Sequence, residues 1–220
     1  MPKVLISDKM SPLAEQVFKD RGIEVDVKTG MTPEELIACI GDYDGLAVRS
    51  STKAKTEIIE AATNLKVIGR AGIGVDNIDV ATATSRGVLV MNTPFGNSTT
   101  TAEHAISMIL ALARDIPQAN ASTHLGKWEK SRFMGMEVTG KTLGVIGCGN
   151  IGSIVADRAQ GLKMKVVGYD PYLSPDRAKK LGIEKLELDD LLARADIITL
   201  HTPLTDATKD IINADSLAKT

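Results

Sequence analysis

The chain has 220 residues, enough for one large domain or two modest ones at about 100–200 residues each. Apolar residues make up 43% and charged residues 25%, the balance of a packed globular protein, so disordered, collagen-like and disulfide-stapled classes are set aside. A formal net charge of −2 argues against a bulk nucleic-acid binder. Cys39 and Cys148 are the only cysteines, far apart and without a CxxC partner. That spacing offers neither a metal site nor a disulfide framework and suits a reducing compartment. The most apolar stretch, 105–113, contains Ser107 and falls short of the roughly 20 residues a membrane span needs. Met1-Pro2-Lys3 runs directly into Val4-Leu5-Ile6, unlike a secretory signal, so a cytoplasmic location is expected.

In chain order, short β-branched runs alternate with longer helical patterns, the rhythm of βα units in a parallel sheet. Residues 4–6, 25–27, 46–48, 67–68 and 88–91 read as strands, and 11–20, 32–40, 56–62 and 78–85 as helices. Thr32-Pro33-Glu34-Glu35 supplies an N-cap, a first-turn proline and acidic first-turn residues. Turn residues at 92–98 interrupt the pattern. A long helix then follows, with Thr100 and Glu103 at capping-box spacing and apolar residues on both flanks, Met108 and Leu112 included. It reads as buried on most sides and as ended or bent by Pro117. Residues 118–139 show no strong period and hold the single tryptophan, Trp128, as a surface loop with one anchored aromatic or as an excursion packing on another chain. The βα rhythm resumes with strands at 143–146, 165–169 and 196–200 and helices near 151–160 and 188–194. Residues 177–180 read as a solvated helix face.

Gly147-Cys148-Gly149-Asn150-Ile151-Gly152 is a GxGxxG set between a strand and a helix. Its first glycine permits a tight turn, its second lets a pyrophosphate approach the backbone, and its third allows close helix–strand packing with the helix N-terminus facing the anion. Asp170 ends the next strand, 18 residues past Gly152, close to the roughly 20-residue offset of the carboxylate that bonds an adenine-side ribose. A carboxylate there repels a 2′-phosphate, so NAD is expected over NADP. The third strand ends in His201-Thr202-Pro203, with Thr202 and Pro203 bordering the nicotinamide half of the crevice. His201 has no visible carboxylate partner and reads as structural.

A second glycine-rich element, Gly69-Arg70-Ala71-Gly72-Ile73-Gly74-Val75-Asp76-Asn77, follows the fourth strand. Its glycines can turn amides toward a carboxylate, and Asp76 is placed to cap the helix behind it. Arg49 and Ser50 end the neighbouring strand. Two strand-end arginines form either a clamp for a phosphate or carboxylate or a pair of surface ion-pair partners.

Together these segments, with Val48-Arg49-Ser50-Ser51-Thr52-Lys53, Asn92-Thr93-Pro94, Gly126-Lys127-Trp128 and Phe133-Met134-Gly135, resemble the D-isomer-specific 2-hydroxyacid dehydrogenases. Among them they most closely resemble the members that oxidise 3-phospho-D-glycerate to 3-phosphooxypyruvate with NAD, opening serine biosynthesis. The resemblance implies an α/β architecture, with a flavodoxin-like parallel-sheet substrate domain over 1–98. The first half of a Rossmann NAD-binding domain follows over 99–220, with the active site between the two. It assigns Gly147, Gly149, Asn150, Ile151 and Gly152 to the pyrophosphate, Asp170 to the ribose, Thr202 and Pro203 to the nicotinamide side, and Ile73 to backbone or apolar cofactor contact. Arg49, Ser50, Arg70, Gly72 and Gly74 are assigned to a phosphorylated 2-hydroxy acid. It also implies a homodimer formed through the nucleotide domain. The family's substrate-orienting arginine and histidine–glutamate pair follow Thr220 in the family's order, so no catalytic residue is assigned within the chain, which is expected to be inactive alone. From Gly140 onward there is room for about three βα units where a full dinucleotide fold has two βαβαβ halves, so strand 143–146 is expected to expose an apolar edge. The other readings are a relative acting on glyoxylate, hydroxypyruvate or D-lactate, and a non-catalytic NAD-binding regulatory module.

Overall fold

A computed structural model describes residues 1–220, which divide into two compact units, Met1–Asn97 and Ser98–Thr220. The first unit runs β1 (Lys3–Ile6), α1 (Pro12–Asp20), β2 (Glu24–Val27), α2 (Pro33–Ile40), β3 (Gly45–Val48), α3 (Thr56–Ala61), β4 (Val67–Arg70), α4 (Val80–Ser85) and β5 (Leu89–Asn92). Its strands form one parallel sheet in the order β2-β1-β3-β4-β5, the flavodoxin-like arrangement. α2, α3 and α4 cover one face, where Leu5, Ile40, Tyr43, Leu46, Ile59 and Ile68 are fully buried. The other face carries α1, none of whose residues is buried, and an open apolar trough of about 650 Å³ between Val17 and Phe18 of α1 and Val4, Ala47 and Met91 of the sheet.

The local signals act as the physics of caps requires. Thr32 Oγ1 accepts from the Glu35 amide and Glu35 Oε2 from the Thr32 amide, so two otherwise orphaned donors are satisfied and α2 starts there. α4 departs from expectation, because Asp79 rather than Asp76 caps it, its Oδ1 accepting from the Thr82 amide at 3.0 Å.

The second unit runs α5 (Ser98–Ala113), α6 (Ile116–His124), β6 (Thr142–Ile146), α7 (Asn150–Gly161), β7 (Lys165–Tyr169), α8 (Pro175–Lys180), β8 (Glu184–Lys185), α9 (Leu188–Arg194), β9 (Ile197–Leu200) and α10 (Ala214–Leu217). Its sheet is parallel in the order β8-β7-β6-β9, the 3-2-1-4 sequence of a Rossmann half with one further strand. Leu143 and Val145 point to a core shared with α5 and α7, while Ile146 and Val167 point to α9. β6 therefore lies inside the sheet, and β8 and β9 are its edge strands, contrary to the expected exposure of 143–146. β7 and β9 both pair with β6, so this strand is satisfied on both sides within the unit.

The long helix also differs from its sequence reading. It begins at Ser98, ahead of the Thr100–Glu103 spacing, and stops at Ala113, before Pro117. Asp115, at φ +50°, turns the chain into a second helix over Ile116–His124, in which Pro117 occupies the first turn, where a proline ring forfeits no helical hydrogen bond. Ile109 and Ala113 are buried, but Met108 and Leu112 are 58% and 76% exposed, so one flank meets solvent rather than core. Trp128 is 86% exposed and anchors nothing within the chain.

These assignments predict a clear ranking of stability losses in denaturant unfolding followed by circular dichroism. Leu5→Ala, which hollows the first core, should cost about 2–5 kcal/mol, and Thr32→Ala, which removes a surface cap, about 1 kcal/mol. An equal or reversed ranking would contradict this description of the first unit.

Candidate functional site

Parallel pairing sets the site before any side chain is considered. In the second sheet Ile146 lies opposite both Tyr169 and Leu200, so the residues that follow, Gly147, Asp170 and His201, leave the carboxyl edge as neighbours. The Gly147 amide donates to the Tyr169 carbonyl at 2.8 Å, and the His201 amide to the Ile146 carbonyl at 2.8 Å. Ligands of open α/β sheets bind outside this edge.

Each glycine of the loop has a distinct reason to be there. Gly147 has φ +89°, and a Cβ on it would stand 2.7 Å from the His201 carbonyl oxygen and 2.9 Å from Thr202 Cγ2. A Cβ on Gly152 would collide with the Gly147 carbonyl oxygen, so only glycine lets α7 sit this close to the end of β6. At Gly149 the same atom would meet nothing within 4 Å, which is the open approach a pyrophosphate requires. The first helical bond of α7 runs from the Ser153 amide to the Gly149 carbonyl, leaving the preceding amides without helical partners and pointing out of the N-terminus.

Asp170 is held against this loop. Its Oδ2 accepts from the Cys148 amide at 2.9 Å and its Oδ1 from the Tyr172 amide at 2.8 Å. Each carboxylate oxygen keeps a second lone pair, which suits the two hydroxyls of a ribose. Free amides beside an open glycine, as donors, and a fixed carboxylate bonded to the neighbouring Cys148, as acceptor, together fit a dinucleotide. Asn150 and Ile151 open α7, Thr202 packs beside Gly147, and Pro203 is exposed, its carbonyl accepting from the Thr208 hydroxyl.

Two titratable groups beneath the loop are inert. Burial pushes the Cys148 thiol up to about 11, with Asp170 adding to the shift, so it stays protonated at neutral pH and is a poor nucleophile. Burial lowers the His201 pKa, and its Nε2 pairs with Thr199 Oγ1 at 3.0 Å, so the ring is a neutral wall of the loop. Arg177 reads from the sequence as part of a solvated helix face; from α8 its Nη2 instead reaches the Cys148 carbonyl at 3.4 Å.

In the first unit the register Val48–Arg70–Asn92 likewise aligns the loops after β3, β4 and β5. Arg49 is gripped along its backbone: Asp8 Oδ2 accepts from its amide at 2.6 Å, and Asn77 Nδ2 donates to its carbonyl at 2.8 Å. Its side chain is exposed, with one bond to the Lys9 carbonyl, and Ser50 beside it is exposed as well. Arg70 is folded over its own loop, its side chain 11% exposed. Nε donates to the Arg49 carbonyl, and Nη1 to the Gly74 carbonyl and Asp76, so Nη2 alone remains without a partner. Gly72 and Gly74 lie against that guanidinium, and the Ile73 carbonyl accepts from Asn92 Nδ2. Asp8 is 5% exposed and also accepts from Thr52. Its position at the end of β1 is the signal that sequence reading passed over.

Comparison with known proteins agrees with this geometry. The profile of the family described as D-isomer specific 2-hydroxyacid dehydrogenase, NAD binding domain, matches residues 106–220. A D-3-phosphoglycerate dehydrogenase of Archaeoglobus fulgidus is 50% identical over 217 residues, covering 99% of this chain and 41% of that protein. The chain thus spans about two fifths of the length of the curated relatives it matches. A protein of Thermus thermophilus superposes with a TM-score of 0.90 at 32% identity, over 99% of this chain and 70% of that one. The D-lactate dehydrogenase of Aquifex aeolicus, solved with NAD and lactic acid, gives 0.87 at 28% identity, over 99% and 65%.

Two alanine substitutions separate packing from access. Gly152→Ala should destabilise the second unit by at least the about 1–3 kcal/mol of an overpacked core. Gly149→Ala should stay within about 0.5 kcal/mol of the parent while weakening NADH binding in a fluorescence titration. Equal losses of thermal stability would contradict the geometry.

Proposed function

The chain belongs to the D-isomer specific 2-hydroxyacid dehydrogenases, and from that premise we propose that it serves the NAD-dependent oxidation of 3-phospho-D-glycerate to 3-phosphooxypyruvate, the opening step of serine biosynthesis. NAD is the cofactor, and when bound it supplies the acceptor for the hydride leaving the substrate. The amides of residues 149–152 hold its pyrophosphate, Asp170 its adenine-side ribose, and Thr202 and Pro203 border the nicotinamide, with Ile73 offering only its backbone and an apolar side chain. Arg49, Ser50, Arg70, Gly72 and Gly74 receive the anionic ends of the substrate.

The observation that carries the reading is the hydrogen bond joining Asp170 to the glycine loop, which makes one site of two distant motifs. An exposed Arg49 beside the free Nη2 of Arg70 favours a substrate with two anionic groups. The 50% identity to a D-3-phosphoglycerate dehydrogenase supports the same choice. His104 is exposed on α5, His124 bonds the Asn120 carbonyl and His201 is a wall of the loop, so none is placed as a base. The 220 residues are therefore expected to bind NADH without turnover. The exposed apolar residues Met108, Leu112 and Trp128 support a homodimer formed through the second unit. Both cysteines are free, which suits a cytoplasmic setting, and no helix is long and apolar enough to cross a membrane.

Calorimetric titration tests the assignment. Asp170→Ala should weaken NADH binding about tenfold, equivalent to about 1.4 kcal/mol, and Arg49→Gln should weaken 3-phosphoglycerate binding while leaving NADH affinity intact. Unchanged NADH affinity in Asp170→Ala would remove the carboxylate from the ribose, and turnover of 3-phosphoglycerate by the 220-residue chain would refute the absence of a base.

A further inference from the structure

Arg177 is an exposed cation with no carboxylate partner among the ion pairs of the structure. Its backbone is fixed, since the Arg177 amide donates to the Ser174 hydroxyl that caps α8. Its guanidinium and the Asp170 carboxylate meet on one residue, with Arg177 bonded to the Cys148 carbonyl and Asp170 to the Cys148 amide. Lys185 stands close by, its Nζ on the Leu173 carbonyl at 2.7 Å. Around Cys148, one negative charge, Asp170, thus faces two positive ones, Arg177 and Lys185. In dinucleotide sites an acidic residue here favours the 2′-hydroxyl of NAD, and an arginine nearby accommodates the 2′-phosphate of NADP. This chain carries both.

We propose that Arg177 and the amides of Cys148 and Tyr172 form a phosphate site that the Asp170 carboxylate masks, making Arg177 a second specificity-determining residue for the cofactor. The carboxylate is itself an anion seated on the two amides, and it satisfies them with the geometry a phosphate oxygen would use. Removing it leaves two free amide donors and a guanidinium able to bind phosphate through two parallel bonds, in a neighbourhood whose net charge has become more positive. Cofactor choice then resides in the pair, with Asp170 excluding the 2′-phosphate and Arg177 standing ready to receive it. The inference rests on the assignment of Asp170 to the adenine-side ribose.

Fluorescence titration with NADH and NADPH of the parent, Asp170→Ala, Asp170→Ala/Arg177→Ala and Asp170→Ala/Arg177→Lys proteins tests it. Asp170→Ala should weaken NADH binding and strengthen NADPH binding at least about tenfold. The gain should disappear in the double alanine variant, return in part with lysine, and shrink as ionic strength rises. Asp170→Ser, which removes the charge and shortens the side chain away from the Cys148 amide, serves the same comparison should the alanine variant fold poorly. A gain that survives loss of Arg177 overturns the role of the arginine, and weakened NADH binding without any NADPH gain overturns the masked site. Unchanged NADH binding instead refutes the ribose assignment beneath it.

Discussion

The closeness of α7 to the end of β6 is the constraint on which the rest of the site depends. No side chain fits between Gly152 and the Gly147 carbonyl, and none fits between Gly147 and the His201 backbone. With both glycines in place, the positive end of the helix opens at the carboxyl edge of the sheet, beside the ends of β7 and β9. The parallel register does the rest, because a single row of paired residues delivers the glycine turn, the Asp170 carboxylate and His201 to adjacent positions. The Cys148 peptide is then fixed from both sides, its amide by Asp170 and its carbonyl by Arg177. The chemistry of the loop is therefore backbone chemistry, and the side chains beneath it, Cys148 and His201, are kept uncharged by burial.

The first unit reaches a similar end by other means. Its loops also leave the carboxyl edge of a parallel sheet, but side chains rather than a helix terminus organise them. Asp8 and Asn77 hold the amide and the carbonyl of Arg49, and Arg70 spends two bonds on its own loop and a third on the Arg49 carbonyl of the neighbouring one. Asn77 is 1% exposed and its Oδ1 has no partner, so its amide is committed to the Arg49 and Thr52 carbonyls at the cost of an unsatisfied acceptor. The second unit thus presents fixed amides, whereas the first presents two guanidinium groups, one exposed at Arg49 and one held over its loop at Arg70.

Features set by local chemistry were legible in the sequence. Strand 143–146, the glycine loop and Asp170 lie within about thirty residues, and each carries its own signature of β-branched residues, φ freedom or spacing. The cap at Thr32 is likewise a four-residue pattern. What escaped notice depends on distant partners. Arg177 acquires meaning only because α8 returns to the glycine loop, 29 residues away in sequence. Helix Ile116–His124 has few apolar residues to mark a face, and Pro117 resembles a breaker until Asp115 turns the chain ahead of it. Periodicity along α5 identified apolar positions but not which of them meet the core, so Met108 and Leu112 read as buried and stand exposed. The edge position of β9 follows from strand order, which no local pattern records.

Backbone amides are the proposed cofactor contacts, so they are also the most direct reporters. Amide hydrogen exchange of the chain, with and without saturating NADH, should show new protection concentrated at residues 149–152, with Cys148 and Tyr172 already protected by Asp170, and Ser153 by the Gly149 carbonyl, before NADH is added. New protection of residues 149–152 supports a cofactor cradle built by the close approach of α7 to β6. NADH binding that leaves these amides exchanging at their free rate, with protection confined to other loops, would contradict it.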